Sequence, residues 1–323
     1  MPKLRQNIVT GDWVVISPER SHRPEDYVTA AAPKRGIPAD CPFCVANNNA
    51  YLTSIKDAET ENVYVIQNKY PAFVKADSII SEGDQFYQDT KSIGAHEVIV
   101  VKKHDQEVYE DGVAIIEELL GVYKSRYLHY DQDPVVEYTM IIHNHGPEAG
   151  ASIEHPHSQL FSSAIMPSYV QKELEGSKKY FDENKKCVFC RMVEVEKENG
   201  YRLVYENDEF IVFTFFASRF PFEMWVLPKK HHSNFEKISD ESKKNLAEAL
   251  HHAISKLNKA LNFPPFNYWI HTTPHHQEEA GDYYHWHIEI APRLSRFGGY
   301  EMGSGVVIDV VSPEVAAEFL KKA

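Results

Sequence analysis

The feature that most constrains this chain is an ordered set of sequence signals that occurs twice. Each half has a C-x-x-C pair, an apolar segment that runs into Lys-Lys-His, an amphipathic segment, another apolar segment and an H-x-H pair. The histidine of Lys-Lys-His precedes the H-x-H pair by 51 residues in the first half (104 to 155) and by 54 in the second (231 to 285). Because chance rarely preserves five features in order and at similar spacing, the pattern predicts a duplicated module.

Helix and strand patterns indicate the same repeated unit. Apolar residues recur every three or four positions in 246–261, with Ser239 or Asp240 as the N-cap, and again in 116–127. Strands alternate with these helices, and hairpin-like strand pairs are frequent. We therefore predict an α+β fold of two duplicated modules, residues 1–170 and 171–323, each an antiparallel sheet with helices packed on one face.

Composition argues against several classes of function. The 323 residues include 34 Lys and Arg against 47 Asp and Glu, a formal net charge of −13, so the surface repels nucleic acids and anionic membranes. No run of about eighteen apolar residues is present, and residues 1–13 lack the apolar core of a signal peptide. We expect no nucleic-acid or membrane partner and a cytoplasmic location.

The cysteine pairs point to metal. In a cytoplasmic chain, C-x-x-C favours metal or redox chemistry over a structural disulfide, and the loop-like context of both pairs favours metal; redox pairs and buried thiols are the alternatives. Zinc prefers four thiolate and imidazole ligands. We predict two Zn²⁺ sites, each completed by one histidine of the H-x-H pair. The other ligands are Cys41, Cys44 and His104 (with His96 as an alternative to His104) in the first half, and Cys187, Cys190 and His231 in the second.

A metal completed by His155 leaves His157 free for other chemistry. Residues i and i+2 of a strand face the same side, so His157 and Gln159 share a face. An imidazole whose Nδ1–H is held by a carbonyl presents Nε2 as a nucleophile, and a glutamine amide can donate to a phosphoryl oxygen. This pattern favours phosphoryl or nucleotidyl transfer. The alternative is a buried core histidine or a redundant fifth ligand.

The segment before this strand, NHGPEAGAS at 144–152, supports the reactive interpretation. Gly146 and Gly150 allow a close approach of the backbone to a ligand. Asn144 and Ser152 add small polar groups, and His143 and His145 are further candidates for the neighbourhood of the site. Such a loop suits a phosphate.

These motifs resemble the signature of the galactose-1-phosphate uridylyltransferases, which belong to the histidine-triad superfamily. Asn144, the Gly150-Ala151-Ser152 step and HPHSQ at 155–159 carry the likeness. It extends to NIVTGDWVVISPERSHRP at 7–24, CPFC at 41–44, QNKYPAF at 67–73 and GGYEMGSGVVIDVVSPEVAAEF at 298–319.

The resemblance implies a ping-pong nucleotidyltransferase. His157 would attack the α-phosphorus of UDP-glucose, release glucose 1-phosphate and pass the uridylyl group to galactose 1-phosphate or another hexose 1-phosphate. His157 and Gln159 would be catalytic, and His155 and His285 would complete the metal sites. The substrate-binding residues would be Arg20, Arg23, Asn68, Lys69, Asn144, Ser152, Tyr300 and Glu301. The resemblance also implies a homodimer.

Two alternatives stay open. The chain is most similar to the branch of the family that includes a plant ADP-glucose phosphorylase, which implies an adenylyl-histidine that is passed from ADP-glucose to inorganic phosphate. Two departures from the best-known members leave the base and the acceptor open. Glu25 stands where those members have tryptophan, and no glutamine follows shortly after Tyr300-Glu301. The alternative from another class is a non-catalytic, zinc-stabilised nucleotide-binding protein.

The second H-x-H pair is followed by Glu289, at the position that Gln159 occupies in the first half. A carboxylate at that place repels a phosphate. We therefore predict one catalytic module and one structural module.

Overall fold

The structure is a computed structural model that describes residues 1–20, 24–28, 40–47, 51–76, 81–83, 86–106 and 108–323. Its strands are β1 (Lys3–Gln6), β2 (Trp13–Ile16), β3 (Val63–Gln67), β4 (Ser81–Gly83), β5 (Gln88–Thr90), β6 (Gly94–Val101), β7 (Tyr138–His145), β8 (His157–Ser163), β9 (Leu203–Glu206), β10 (Phe210–Thr214), β11 (Met224–Pro228), β12 (Phe266–His271), β13 (His287–Pro292) and β14 (Val307–Asp309). Its α-helices are α1 (Val113–Tyr130), α2 (Ser168–Asn184), α3 (Val188–Asn199), α4 (Asp240–Leu261), α5 (Gly299–Ser304) and α6 (Pro313–Lys321).

A nine-stranded sheet in the order β3-β6-β8-β7-β12-β13-β11-β10-β9 forms the centre of the molecule. Every neighbouring pair in it is antiparallel. The strands of the first half and those of the second follow the same order outwards from the central pair β7–β12. The predicted α+β fold of two duplicated antiparallel modules is confirmed, and the two sheets are joined edge to edge into one.

The predicted amphipathic helices cover one face of this sheet. In α4, Leu246, Leu250 and Ile254 are buried, and Ser239 caps the helix by accepting a hydrogen bond from the backbone N–H of Ser242 at 3.0 Å. Helix α1 buries its own apolar residues in the same core, together with Leu160 of β8 and Ile288 of β13. The alternation of strand side chains then directs the neighbouring residues of β8 and β13 to the opposite face.

The face of the sheet opposite α1 and α4 is covered by different segments in the two modules. In the second module, α2 and α3 pack on it, and Phe189 of α3 lies in one core with Trp225 and Leu227 of β11. In the first module, the segment around Phe43 packs against Tyr64 and Val98 on this face. The predicted division at residue 170 falls within α2 and stays a proposal.

Strands β1, β2 and β14 form a separate three-stranded sheet, in which β14 runs parallel to β2 and joins the last part of the chain to the first. No α-helix in the described part of the chain combines the length and the apolar character needed to cross a membrane.

A buried ion pair ties α1 to β6, the strand next to β8. The guanidinium of Arg126 donates two hydrogen bonds to the carboxylate of Glu97, at 2.8 and 2.7 Å, and the hydroxyl of Tyr130 donates a third at 2.6 Å. Arg126 and Glu97 are both buried. The pair therefore fixes the strand that borders the candidate site described below.

We expect Arg126→Leu to lower the free energy of unfolding by about 3–5 kcal/mol, because it leaves the Glu97 carboxylate buried and unpaired. Chemical denaturation followed by circular dichroism measures the loss. The matched control is the double variant Glu97→Leu/Arg126→Leu, which removes both charges and should recover most of the stability. A double variant no more stable than Arg126→Leu would contradict this account.

Candidate active site and metal centres

Strand β8 brings the predicted catalytic residues together on one face of the sheet. Leu160 points to the helix side, so His157, Gln159 and Phe161 point to the other. The ring of Phe43 lies 5.1 Å from the ring of His157, centre to centre, and covers part of this face. His157 keeps only 9% of its surface exposed.

The ring of His157 is held in one orientation. Its Nδ1 lies 2.8 Å from the carbonyl oxygen of His155, so this nitrogen carries the proton and donates it. Its Nε2 therefore keeps a free lone pair. Burial lowers the pKa of His157, which favours the neutral ring. The geometry that a nucleophilic imidazole requires is present.

The first cluster of cysteine and histidine side chains lies directly beside His157. The ligand atoms of Cys41, Cys44, His104 and His155 all lie within 4.8 Å of one another. The Sγ of Cys44 is 3.3 Å from Nδ1 of His104, and the Sγ of Cys41 is 3.5 Å from Nδ1 of His155. The Nε2 of His155 lies 2.5 Å from the carbonyl of Val101, so this nitrogen donates and Nδ1 is free for a metal.

The second cluster repeats this arrangement. The ligand atoms of Cys187, Cys190, His231 and His285 also lie within 4.8 Å of one another. The Sγ of Cys190 is 3.3 Å from Nδ1 of His231, whose Nε2 donates to the carbonyl of Gly281 at 2.7 Å. Both predicted four-residue sets are thus brought together. His96, the alternative to His104, lies in neither.

The donor sets fit a soft divalent metal ion. Without a metal, burial and the neighbouring Cys41 sulfur raise the pKa of Cys44 to about 11, so the thiolate needs a nearby positive charge. The cysteines form no disulfide. Two sulfur and two imidazole donors at such short separations are the ligand set of closed, four-coordinate sites.

Gln159 has a neighbour that the sequence suggested only as an alternative metal ligand. The Nε2 of His96 in β6 lies 2.9 Å from Oε1 of Gln159 and 3.1 Å from Nδ2 of Asn68. His96 also stacks on Phe161, with ring centres 4.1 Å apart. Asn68, predicted from the family resemblance, therefore lies beside the same histidine that contacts Gln159.

The glycine-containing loop before β8 is held by the second module. Asn267 of β12 donates from Nδ2 to Oδ1 of Asn144 at 2.7 Å and to the carbonyl of Ala149 at 2.8 Å. Gly146 has φ +84°, and a Cβ there would lie 2.8 Å from the Cβ of Pro265, so no side chain fits. Because the Oδ1 of Asn144 is occupied, its amide N–H groups remain the free donors.

The remaining predicted substrate-binding residues lie in less enclosed places. Ser152 and Lys69 are exposed, and Nζ of Lys69 lies 5.4 Å from the ring centre of Tyr70. Tyr300 and Glu301 are in α5, where the Glu301 carboxylate accepts a hydrogen bond from the backbone N–H of Gly298 at 2.9 Å. Arg23 and the side chain of Arg20 lie outside the described residues. The roles of all these residues stay proposals.

His143 and His145 alternate with Asn144 along β7 and lie on the other side of the sheet. His143 is buried, with Nδ1 3.0 Å from Oγ of Ser158 and its ring stacked on Tyr268. His145 stacks on Phe266, which belongs to the helix-side core. Neither shares the face of His157.

The equivalent of Gln159 in the second module is engaged by protein groups. Glu289 is fully buried and forms an ion pair with Arg219, which also pairs with Glu223 at 3.0 Å. Although burial opposes its ionisation, Arg219 and the neighbouring histidines hold the pKa of Glu289 at about 2. This closed, charged arrangement agrees with the expectation that the second module is structural.

A third cluster, which the sequence did not predict, lies around Glu289 in the second module. Glu173, His271, His287 and Glu289 are all buried, and their ligand atoms lie within 4.8 Å of one another. The Nδ1 of His271 is 3.0 Å from Oε2 of Glu173, and the Nε2 of His287 is 3.4 Å from Oε1 of Glu289. Two carboxylates and two imidazoles form a donor set that could hold a metal ion. In the sequence, the position of Glu289 two residues after His287 could have indicated this cluster. Glu173 lies far away in the chain, and no pattern connects it to these residues.

Two models of known protein families together match most of the chain. The family model described as galactose-1-phosphate uridyl transferase, N-terminal domain, matches residues 1–167, and that of the C-terminal domain matches residues 173–321. The chain belongs to the galactose-1-phosphate uridyl transferase family. The resemblance read from the motifs is confirmed.

Several relatives resemble the chain over nearly its full length. It is 32% identical to ADP-glucose phosphorylase of Arabidopsis thaliana, over 99% of this chain and 93% of the relative. It is 28% identical to galactose-1-phosphate uridylyltransferase of Thermotoga maritima, over 100% of this chain and 98% of the relative. The crystal structure of the Arabidopsis thaliana ADP-glucose phosphorylase with bound ADP-glucose superposes with a TM-score of 0.84 at 31% identity, covering 100% of this chain and 99% of the other.

Proposed function

We propose that this chain is a nucleotidyltransferase that works through a covalent nucleotidyl-His157 intermediate. The observation that carries the proposal is the hydrogen bond from Nδ1 of His157 to the carbonyl of His155, at 2.8 Å. It supports the proposal because it leaves Nε2 unprotonated, on the same face of the strand as the amide of Gln159. The enzymes named in the same family support the same chemistry.

The proposed reaction has two displacements. In the first, Nε2 of His157 attacks the α-phosphorus of a nucleotide sugar, an N–P bond forms, and the bond to the bridging oxygen breaks as sugar 1-phosphate leaves. In the second, a phosphate oxygen of the acceptor attacks the same phosphorus, and the N–P bond breaks to restore the imidazole. The His155 carbonyl stabilises the positive ring of the intermediate, and donors such as the Gln159 amide stabilise the phosphoryl oxygens.

Two substrate pairs are candidates. The first is UDP-glucose with a hexose 1-phosphate such as galactose 1-phosphate, supported by the match to both uridyl transferase domain models. The second is ADP-glucose with inorganic phosphate, supported by the higher identity to ADP-glucose phosphorylase, 32% against 28% for the Thermotoga uridylyltransferase. Both candidates use the same intermediate and differ in base and acceptor.

Covalent labelling tests this proposal and separates the candidates. The protein is incubated with UDP-glucose labelled in the uracil ring or with ADP-glucose labelled in the adenine ring. Acid-labile, base-stable label on the protein from UDP-glucose supports the uridylyltransferase, and label from ADP-glucose supports the phosphorylase. Binding of a nucleotide sugar without covalent label from either would overturn nucleotidyl transfer in favour of a non-catalytic nucleotide-binding protein.

We propose Zn²⁺ in both Cys₂His₂ clusters. In such closed sites the metal supplies a structural cross-link, and it would stabilise the thiolates of Cys41, Cys44, Cys187 and Cys190. The first cluster would join the 40–47 segment to the strand that carries His157. The short separations among its four ligand atoms, all within 4.8 Å, support this assignment.

We also propose a homodimer in which Arg20 and Arg23 contact substrate phosphates, and a cytoplasmic location. The free cysteines suit a reducing compartment. Because the net charge is −13, an anionic substrate needs positively charged side chains at its binding site, and these arginines would supply them.

A further inference from the structure

The amide of Gln159 has two ends with opposite properties. Its Nε2 donates hydrogen bonds, whereas its Oε1 only accepts them. Phosphoryl oxygens that gain negative charge during transfer need donors. If Oε1 faced the phosphate, two partial negative charges would meet. The side chain therefore serves the proposed reaction in only one of its two amide orientations, and something has to select that orientation.

The contacts of His96 supply such a selection. The backbone N–H of Ala72 donates to Nδ1 of His96 at 3.1 Å, so Nδ1 carries no proton. In the neutral ring the proton is then on Nε2. That nitrogen lies 2.9 Å from Oε1 of Gln159 and donates to it. Burial lowers the pKa of His96, in agreement with a neutral ring.

The other neighbours of His96 favour the same arrangement. Asn68 Nδ2 also lies 3.1 Å from His96 Nε2, but the Oδ1 of Asn68 already accepts from the N–H of Tyr70 at 2.8 Å, so its amide end is a donor too. Gln159 Oε1 is then the acceptor that the Nε2–H can use. The stacking of His96 on Phe161 fixes the plane of the ring. His96 itself is only 6% exposed.

We propose that His96 is a positioning residue that holds the carbonyl end of Gln159 and so turns its amide N–H groups towards the phosphoryl group. The backbone N–H of Ala72 sets the tautomer of His96, and the tautomer sets the orientation of Gln159. The functional part of this inference rests on the proposed nucleotidyl transfer. The tautomer and the amide orientation do not, and they can be measured on the free protein.

The kinetic test is the rate of nucleotidyl-His157 formation in a single turnover with the nucleotide sugar that labels the wild type. We expect His96→Leu to lower this rate about 10–100-fold, up to the effect of losing one oxyanion donor, with a change in substrate affinity of less than about threefold. His96→Gln keeps a donor near the position of Nε2 and should restore most of the rate. His275→Leu is the matched control, since it removes a buried imidazole that bonds Thr139 and Asp131, and it should label at the wild-type rate.

A double variant separates positioning from packing. In a Gln159→Ala background, His96→Leu should cause no further loss of rate, because there is no amide left to orient. A full additional loss would overturn the proposal, and so would a His96→Leu variant that labels at the wild-type rate. Thermal melts of all variants report any loss of fold separately.

Nitrogen NMR of histidine-labelled protein tests the tautomer directly. We expect His96 to carry its proton on Nε2, with a scalar or through-space link from that proton to the Gln159 side chain. A proton on Nδ1 would overturn the inference whatever the enzyme does. If the tautomer is as expected but the wild type forms no covalent label, the proposed function has failed and the geometric part of the inference stands.

Discussion

Replacing His157 by asparagine should abolish the covalent nucleotidyl-enzyme and lower kcat by about 10⁴-fold or more, the scale seen when a nucleophile is removed. Asparagine can keep a donor to the His155 carbonyl, but it offers no basic nitrogen to attack phosphorus. The effect should be on the chemical step, so a nucleotide sugar should still bind to the variant. Equilibrium binding and quantitative labelling measure the two properties separately.

The matched control for this variant is His287→Asn in the second module. His287 has the same local geometry, with Nδ1 3.1 Å from the carbonyl of His285. Its strand faces α2 and α3, so the folded fraction of this variant should still carry one label per chain. A His157→Asn protein that labels like the wild type, or equal loss of label in both variants, would refute the assignment of the chemistry to the first module.

Cys44→Ser should remove one equivalent of zinc and strongly destabilise the first module. A structural zinc site contributes on the order of 10 kcal/mol of apparent folding free energy, so loss of a ligand is expected to cost a large fraction of the stability. It should also impair catalysis, because the carbonyl that orients His157 belongs to His155, a proposed ligand of the same site. Elemental analysis, thermal melting and labelling measure the three effects.

Cys190→Ser provides the comparison. It should also remove one equivalent of zinc and lower the melting temperature, but the partners of His157 stay in place. We therefore expect its labelling below the melting temperature to approach that of the wild type. A wild-type protein that is fully folded and free of metal after purification would contradict the structural role of both clusters.

The sequence could predict those features that depend on local order. Spacing along the chain indicated the duplication and the eight residues of the two Cys₂His₂ clusters. Each C-x-x-C pair brings two ligands together through local geometry, and each H-x-H pair supplies one more. The periodicity of α1 and α4 was sufficient because these helices bury a single stripe against the sheet. The hydrogen bond from Nδ1 of His157 to a backbone carbonyl also depends on local order, because its two partners are only two residues apart.

The features that escaped prediction depend on register between distant strands. His96 reaches Gln159 because β6 pairs with β8 so that His96 stands opposite Phe161, and no sequence pattern reports that offset. Asn267 meets Asn144 only because β12 and β7 pair across the centre of the sheet. The buried Glu173 belongs to a helix whose placement on the second module follows from tertiary packing.

The edge-to-edge union of the two modules has a consequence for any attempt to divide the chain. In the whole protein, β7 is paired along both sides, with β8 and with β12. A fragment that ends near residue 170 would leave the β12 side of β7 as a bare strand edge, with the backbone groups of residues 142–145 no longer covered by β12. Such an edge is a template for intermolecular β-pairing and aggregation. The second module thus covers this edge of the first, and this role does not depend on any metal or substrate.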